Sequence, residues 1–360
     1  MKIAVIGAGI FGTTAAWKLA SQGNKVDLYE REKDILQAAS GINQYRLHMG
    51  YHYPRSDETA LDSKRGSKVF QEEYKDCIVK NTENYYCISK KDSRTTKEQF
   101  VQFCKKHNLP SIEEQCSVVK SNSIVLSVKV KENIFNVEKL KSICKEKLAF
   151  HKVNVIFKEY KFDSLNNYDL VIYALYTNSN LPFQNKKESE KDFQFELCEK
   201  PIIKLPKIYK NKSVVILDGP FMCIDPLGET DYHVMGNVVH AIHKTNVGKY
   251  PEIPEEFKQL LNKGIIKSPS ITNIKKFFES AKEFFIDIDK AEHIGSMYTI
   301  RTVLPERDHD DARPTMVQKI SNKEFLIFSG KIGTCVQAAD VLCNEVRKLQ
   351  ESQNINLIQN

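Results

Sequence analysis

The chain has 360 residues, of which 41% are hydrophobic and 28% are charged, a balance typical of globular proteins and a length that suits two domains. No long run of apolar residues occurs, so no membrane-spanning helix is expected. The net charge of +7 is spread along the sequence without a basic stripe, which favours a small-molecule partner over a nucleic acid. Nine scattered cysteines, with no C-x-x-C pair and no cleavable signal, predict reduced thiols, a cytoplasmic location and no metal site.

The first predicted unit is a strand, a glycine turn, a helix and a second strand. Residues 2–6 form an apolar run that suits a buried parallel strand, and residues 25–29 form a second strand that ends in Glu30. Three glycines follow the first strand in the pattern G-x-G-x-x-G: Gly7, Gly9 and Gly12. They allow a tight turn, a close approach of the backbone to a pyrophosphate and close helix packing, while Glu30 can accept hydrogen bonds from a ribose hydroxyl. The unit therefore predicts binding of an adenine dinucleotide.

The next segment distinguishes a flavin from a nicotinamide cofactor. Residues 40–55, SGINQYRLHMGYHYPR, are rich in polar and aromatic side chains one loop beyond Glu30, where the ribityl chain and ring of FAD would run. His48 and His52 have a spacing that would suit a metal only on a helix, which Gly50 disfavours. The segment therefore predicts FAD and no metal.

The three glycines, Glu30 and the small-residue cluster over 39–43 resemble the amino-terminal third of the D-amino-acid oxidase and glycine oxidase superfamily. The resemblance implies an α/β fold with a Rossmann-like FAD-binding domain and an inserted α+β substrate domain built on a mainly antiparallel sheet. With the sequence patterns described here, it implies FAD contacts at Gly7, Gly9, Ile10, Phe11, Gly12, Glu30, Arg31, Ser40, Gly41, Asn43, Arg46, Val155, Ala174, Gly330, Lys331, Ile332, Gly333 and Thr334.

The predicted elements of the central part alternate between these two domains. In chain order they are a helix over 58–74, a strand over 84–88, a helix over 95–107, a strand over 123–128, a helix over 137–148, strands over 153–157, 168–174, 213–217, 222–226 and 233–236, and helices near 257–261 and 274–285. The predicted FAD-binding domain comprises residues 1–80, 137–180 and 296–350, and the substrate domain comprises 81–136 and 181–295. The superfamily's Ala-x-Gly turn after the strand over 168–174 is replaced here by Ala174-Leu175-Tyr176.

Residues 325–343 predict a strand, a glycine loop and a helix near the carboxyl terminus. In the superfamily this loop passes the pyrimidine edge of the flavin. Lys331 and the amino-terminal end of the following helix would then stabilise the negative charge of the reduced ring.

Four residues are candidates for the substrate site: Arg313, Arg301, Tyr298 and His52. Arg313 precedes a proline, and in the superfamily such an Arg-Pro pair often supplies the guanidinium that binds a substrate carboxylate. A surface ion pair with Asp308, Asp310 or Asp311 is the alternative for Arg313. The superfamily's Thr-Pro-Asp-Gly continuation is absent, so neither a substrate nor an acid–base residue is assigned.

These patterns favour an FAD-dependent oxidoreductase that takes hydride from a C–N bond, with a C–O bond as the second choice, of a small polar substrate such as an amino acid or amine. UDP-galactopyranose mutase is the alternative, because the stretch 330–333 fits its late glycine loop. The Gly-Gly pair that such mutases have after the acidic strand end is lacking here. A flavin-binding scaffold without turnover has no positive support.

Overall fold

The strands of the chain form two large sheets, and helices pack against both. The computed structural model describes residues 1–161, 167–184, 187–307 and 313–358. Its helices are α1 (Ile10–Ser21), α2 (Asp57–Glu73), α3 (Lys97–Lys106), α4 (Val137–Phe150), α5 (Glu255–Lys258), α6 (Ile274–Phe284) and α7 (Cys335–Ile358). Its strands are β1 (Lys2–Ile6), β2 (Lys25–Glu30), β3 (Arg46–Leu47), β4 (Glu83–Ser89), β5 (Ser111–Glu113), β6 (Ile124–Val130), β7 (Asn133–Ile134), β8 (Asn154–Phe157), β9 (Leu170–Tyr173), β10 (Phe193–Lys204), β11 (Lys212–Leu217), β12 (Met222–Pro226), β13 (Tyr232–Asn237), β14 (Ile242–Gly248), β15 (Glu292–Val303), β16 (Met316–Ser321) and β17 (Glu324–Phe328).

The smaller sheet brings together strands from distant parts of the chain. Their order is β16-β17-β9-β1-β2-β8, and all neighbouring pairs are parallel except β16 with β17. The apolar run of β1 suits its central position, because both faces are covered. Ile3 and Val5 join the core formed with α1, α4 and α7, while Ala4 and Ile6 join a second cluster on the opposite face that includes Tyr160.

The larger sheet has the order β14-β10-β13-β12-β11-β4-β6-β5, and β15 pairs with β10. Its pairs are antiparallel except β4 with β11. Phe100 and Phe103 of α3 pack in one core cluster with residues of this sheet, and Phe277 and Phe284 of α6 pack in another. A separate short pair, β3 with β7, links the segment after Glu30 to the chain between β6 and α4.

The predicted fold class, a Rossmann-like parallel sheet combined with a mainly antiparallel sheet, is confirmed. The predicted division at residue 296 falls inside β15, which pairs with β10 of the larger sheet from residue 292 onward. This pairing does not locate a boundary between the domains, so the predicted boundaries stay a prediction. The helix expected near 257–261 is α5, which ends at Lys258.

Within the described ranges, no helix has both the length and the apolar character that a membrane crossing requires.

Candidate active site

A cavity of about 880 Å³ is lined by residues of both sheets. Its walls include the glycine turn after β1, the loop after β2, the segment after β17, and strands β10, β11, β12 and β15 of the larger sheet. This volume lies within the range of roughly 300–1,000 Å³ that is usual for ligand pockets. Segments predicted to contact a cofactor and segments predicted to contact a substrate therefore share one cavity.

The turn between β1 and α1 is built from glycines that leave no room for side chains. Gly7 has a φ of +98°, and a Cβ there would lie 2.5 Å from the Ala174 carbonyl oxygen. A Cβ on Gly12 would lie 1.9 Å from the Gly7 carbonyl oxygen. Helix α1 thus begins at Ile10 directly beside the cavity, with no acidic residue in its first turn. The positive end of its dipole favours a phosphate group at this position.

Glu30, the last residue of β2, lines the cavity next to this turn. Its Oε2 accepts the Ala8 N–H at 2.8 Å, and its Oε1 accepts the Glu32 N–H at 3.0 Å. Ser40 Oγ accepts the Ile10 N–H at 3.0 Å and so ties the loop after β2 to the start of α1. The acidic strand end and the polar loop are therefore held against the helix terminus, in the arrangement that a dinucleotide requires.

The loop after β17 forms another part of the wall. A Cβ on Gly330 would lie 2.0 Å from the Arg313 carbonyl oxygen, so this loop packs backbone to backbone against the segment before β16. The Gly330 N–H donates to Thr315 Oγ1 at 2.9 Å. The Lys331 ammonium lies 4.3 Å from the centre of the Tyr53 ring, and burial lowers the pKa of Lys331 to about 7.

Most of the residues predicted from the sequence line this cavity. They are Gly7, Gly9, Ile10, Phe11, Glu30, Arg31, Ser40, Asn43, Arg46, His52, Ala174, Arg301, Arg313, Gly330, Lys331 and Ile332. Their roles in binding stay predictions. The acids at 308–311 that were considered as partners of Arg313 lie outside the described residues.

Five residues that were predicted to contact the cofactor do not line the cavity: Gly12, Gly41, Val155, Gly333 and Thr334. Gly41 serves a tight turn, because a Cβ there would lie 2.1 Å from the Leu36 carbonyl oxygen. Val155 packs against the core of the smaller sheet, and the cavity is lined instead by Lys158, Glu159 and Tyr160 just after β8. Gly333 packs closely against Gly66 of α2.

Tyr298 does not line the cavity, although its neighbour Thr299 does. Successive side chains of a strand point to opposite faces, and Tyr298 lies on the far face of β15. Its hydroxyl donates to the Ile271 carbonyl, and its ring packs near His243 and Phe257 at centroid distances of 6.0 Å each. Tyr298 is fully buried there and belongs to the core.

Arg46 lines the cavity, but its guanidinium is part of a buried ionic network. It lies 2.9 Å from Glu132 Oε1 and 3.0 Å from Asp225 Oδ1, and the three side chains are 1%, 0% and 0% exposed. Ser213 also accepts a hydrogen bond from the guanidinium, and Tyr86 donates its hydroxyl hydrogen to Glu132 at 2.9 Å. Burial alone would raise the pKa of Glu132, but its contacts with His48 and Arg46 lower it to about 2. The network joins the segment after β2 to the central strands of the larger sheet.

Two further arginines of the cavity wall are held by carboxylates of the larger sheet. Arg55 Nε donates to Asp218 Oδ2 at 2.7 Å, and the Thr95 hydroxyl donates to the same oxygen at 2.7 Å. Arg301 forms an ion pair with Glu196, a residue that is 4% exposed. These contacts fix the positions of both guanidinium groups.

Three rings form a cluster beside these charges: His48, His52 and Tyr53. Their centroids are separated by 4.9 Å (His48 to His52), 5.7 Å (His48 to Tyr53) and 5.2 Å (His52 to Tyr53). His48 Nδ1 lies 3.5 Å from Glu132 Oε1. All three residues line the cavity. Burial lowers the pKa of both histidines, so the imidazoles are neutral near pH 7.

The sequence predictions missed the carboxylates that position these basic groups, namely Glu132, Glu196, Asp218 and Asp225. Each is distant in sequence from its partner, so no local spacing indicates the pairing. Tyr176 was noticed only as the residue in place of a glycine. It takes a φ of 50°, lines the cavity and accepts the Thr302 N–H at 3.0 Å through its hydroxyl. The superfamily has a glycine at this position, and glycine favours the left-handed region. The replacement of that glycine by Tyr176 was therefore the sequence signal for an unusual residue here.

The fold and the cavity define a class of α/β proteins in which a dinucleotide-type glycine turn and a mainly antiparallel sheet enclose one pocket. Glycine oxidase from Geobacillus kaustophilus has this fold, with a TM-score of 0.69 at 13% sequence identity over 97% of this chain and 94% of that chain. L-proline dehydrogenase from P. horikoshii has it too, with a TM-score of 0.67 at 14% identity over 96% and 93% of the two chains. At these identities the likeness shows the fold.

Proteins that are related to this chain in sequence match shorter stretches of it. An FAD-dependent monooxygenase of Fusarium mangiferae is 38% identical over 91 residues, which are 25% of this chain and 25% of the relative. A D-amino acid dehydrogenase of Neisseria meningitidis is 39% identical over 54 residues, which are 15% of this chain and 13% of the relative. The chain therefore matches a quarter or less of the length of these curated relatives.

Residues 2–116 match the family model described as FAD dependent oxidoreductase. This part of the chain is similar to the FAD-dependent oxidoreductases that the model describes, and the whole chain has the fold of glycine oxidase. The superfamily and the FAD cofactor predicted from the sequence are confirmed at this level.

Proposed function

We propose that the protein binds FAD in the cavity and oxidises a C–N bond of a small polar substrate such as an amino acid or amine, with a C–O bond as the second candidate. The observation that supports this most is that the glycine turn after β1 and the wall containing Arg301, Arg313 and His52 line the same cavity. Bound FAD would supply the hydride acceptor, while the chain orients the substrate and excludes water.

The residues around the glycine turn fit the adenosine diphosphate part of FAD. The start of α1 offers backbone amides and a helix dipole to the phosphates, and Glu30 offers carboxylate oxygens to ribose hydroxyl groups. Ser40 and Asn43 offer polar side chains farther along the cavity wall. Lys331 would place a positive charge where it stabilises the reduced ring.

The basic groups of the cavity wall fit an anionic part of the substrate. Arg313 is the first candidate, because a guanidinium can hold both oxygens of a carboxylate. Arg301 is a second, and its ion pair with Glu196 keeps its planar group in one place. We therefore propose a small-molecule partner that bears a carboxylate, a class to which amino acids belong.

The first experiment is a titration of FAD into the apoprotein, followed by flavin fluorescence. Wild type is expected to bind FAD. Glu30→Gln replaces one acceptor oxygen by an amide that faces the N–H groups of Ala8 and Glu32, so its dissociation constant should rise at least about tenfold. Glu72→Gln, on the exposed face of α2, should bind as wild type does. A wild-type protein that takes up no FAD would overturn the proposal.

The second experiment is anaerobic addition of amino acids, amines and hydroxy acids to the FAD-loaded protein. Loss of the flavin absorbance with an amino acid or amine supports the proposed reaction, and loss with a hydroxy acid alone moves it to C–O bonds. Ring contraction of a nucleotide sugar that requires prior reduction with dithionite would replace it by mutase chemistry. No reaction with any of these compounds contradicts an oxidoreductase of this substrate class.

A further inference from the structure

The carboxylate of Glu132 and the ring of His48 form an arrangement that the predicted site did not include. Glu132 accepts hydrogen bonds from Arg46 at 2.9 Å, from the Tyr86 hydroxyl at 2.9 Å and from the Met49 N–H at 2.8 Å. These contacts fix both carboxylate oxygens. His48 Nδ1 then lies 3.5 Å from Oε1 and forms no hydrogen bond at that distance. A small rotation of the imidazole would close this gap, as often happens when a ligand fills an active site.

The other nitrogen of His48 is available to a ligand. The side chain of His48 lines the cavity and is 18% exposed, and only Nδ1 is among the buried atoms without a partner. Because Nδ1 is directed at Glu132, Nε2 on the opposite side of the ring is the atom that a molecule in the cavity would meet. A carboxylate behind one ring nitrogen fixes the tautomer and leaves the other nitrogen as a proton acceptor.

Among the charges around the ring, the Glu132 carboxylate is the one that favours a proton on His48. The buried group of Arg46, Glu132 and Asp225 contains two carboxylates for one guanidinium, and Asp225 Oδ2 has no hydrogen-bond partner. Burial and the neighbouring charges of Lys331 and Arg46 lower the pKa of His48, while Glu132 acts in the opposite direction. The ring is therefore neutral before the reaction and has a counter-charge beside it afterwards.

We infer that His48 is the proton acceptor for a substrate ammonium group, and that Glu132 positions the ring and balances the charge it gains. In this step the N–H bond of the ammonium breaks and its electron pair stays on nitrogen, which becomes a neutral amine. The proton forms a new bond at His48 Nε2. The neutral amine has the lone pair that loss of hydride from the adjacent carbon requires. This inference rests on the proposed oxidation of a C–N bond.

Kinetics of the FAD-loaded protein test the role of Nε2. With an amine that reduces wild type, the rate of reduction near pH 7 should fall about 10²- to 10⁴-fold in His48→Ala, and the rise of the rate with pH should move to the higher pH at which the ammonium loses its proton to solvent. Added imidazole should restore part of the rate, which a purely structural role would not permit. His240→Gln, whose side chain lies outside the cavity wall, is the matched control and should keep the wild-type rate. A wild-type rate and pH profile in His48→Ala would overturn the inference.

A second measurement is independent of turnover. In the holoprotein labelled with ¹⁵N-histidine, the His48 signal should report a neutral ring near pH 7, with Nε2 losing and gaining the proton on titration. Glu132→Gln should lower the pH at which His48 is protonated, and the His240 signal should not move. A His48 titration that is the same in both proteins would overturn the role of Glu132, whether or not any amine is oxidised. Failure of every amine to reduce wild type would instead contradict the proposed function.

Discussion

Arg46 Nη1 lies 2.9 Å from Glu132 Oε1, although 86 positions separate the two residues in the sequence. Their side chains are 1% and 0% exposed, and the contact joins β3 to the turn between β6 and β7. Both side chains are buried, and Arg46 lines the cavity. The integrity of the pair therefore matters for stability as well as for the shape of the site.

Removal of the guanidinium should destabilise the fold strongly. Arg46→Met leaves the Glu132 and Asp225 carboxylates buried without their cation, and loss of one partner of a buried ion pair costs about 3–5 kcal/mol. Urea unfolding followed by circular dichroism measures the change. Lys97→Met breaks the exposed pair with Glu113 and should cost about 1 kcal/mol or less. Equal losses in both variants would show that the buried network contributes no more than a surface pair.

A methyl group at Gly330 should damage the cavity wall. Its Cβ would lie 2.0 Å from the Arg313 carbonyl oxygen, so the loop that bears Lys331 must move. We expect Gly330→Ala to weaken FAD binding at least about tenfold and to cost about 1–3 kcal/mol of stability, as overpacking usually does. Gly248→Ala, where the nearest atom is 3.8 Å away, is the control. Flavin titration and urea unfolding check both effects, and unchanged affinity in Gly330→Ala would contradict the expected contact.

The buried amino group of Lys331 should make the free energy of unfolding depend on pH. Burial lowers its pKa to about 7 in the folded apoprotein, whereas the pKa of a lysine in the unfolded chain is about 10.4. Between these values the unfolded chain binds more protons, so this group makes the free energy of unfolding rise with pH, by at most about 1.4 kcal/mol per unit. Below pH 7 the ammonium is present in both states, and its burial costs the folded state a constant amount.

Lys331→Met removes that cost. The variant apoprotein should be more stable than wild type, with the largest difference at pH 7 and below and a shrinking difference towards pH 10. Urea unfolding at several pH values measures this trend. Lys323→Met, at an exposed position, should show no such trend. A constant difference across the pH range would mean that the Lys331 ammonium is not desolvated.

Tyr298→Phe separates a core role from a substrate role. The Tyr298 hydroxyl donates to the Ile271 carbonyl on the face of β15 opposite to the cavity. Its loss should cost roughly 0.5–1.5 kcal/mol of stability and leave FAD binding and substrate affinity unchanged. Thermal unfolding and flavin titration give the two readouts. A rise in the KM for the substrate would restore Tyr298 as a site residue.

Local patterns in the sequence were sufficient for the dinucleotide turn. The spacing of Gly7, Gly9 and Gly12 and the acid at Glu30 depend on backbone geometry within one strand–helix–strand unit, so they can be recognised without tertiary information. Periodicity predicted the individual strands and helices. The two sheets and their different character were implied by the resemblance to the superfamily.

The substrate side could not be predicted in the same way. Tyr298 and Arg301 were chosen together, but alternation along β15 separates them, and only the register with β10 decides which one meets the cavity. Glu132 and Asp225 have no local signal that connects them to Arg46. In the sequence His48 was considered only as a possible metal ligand, because its proximity to Glu132 depends on tertiary folding.

The strand order of the smaller sheet also affects how the chain is made. β1 lies between β2 and β9, and β17 pairs with the other edge of β9. During synthesis on the ribosome, the first strand emerges long before residues 324–328 are made. The apolar edge of the nascent sheet therefore stays unpaired until its last strands are synthesised. We expect chaperones to bind this incomplete sheet, and a gene fragment that encodes only residues 2–116 to yield aggregates instead of a stable unit.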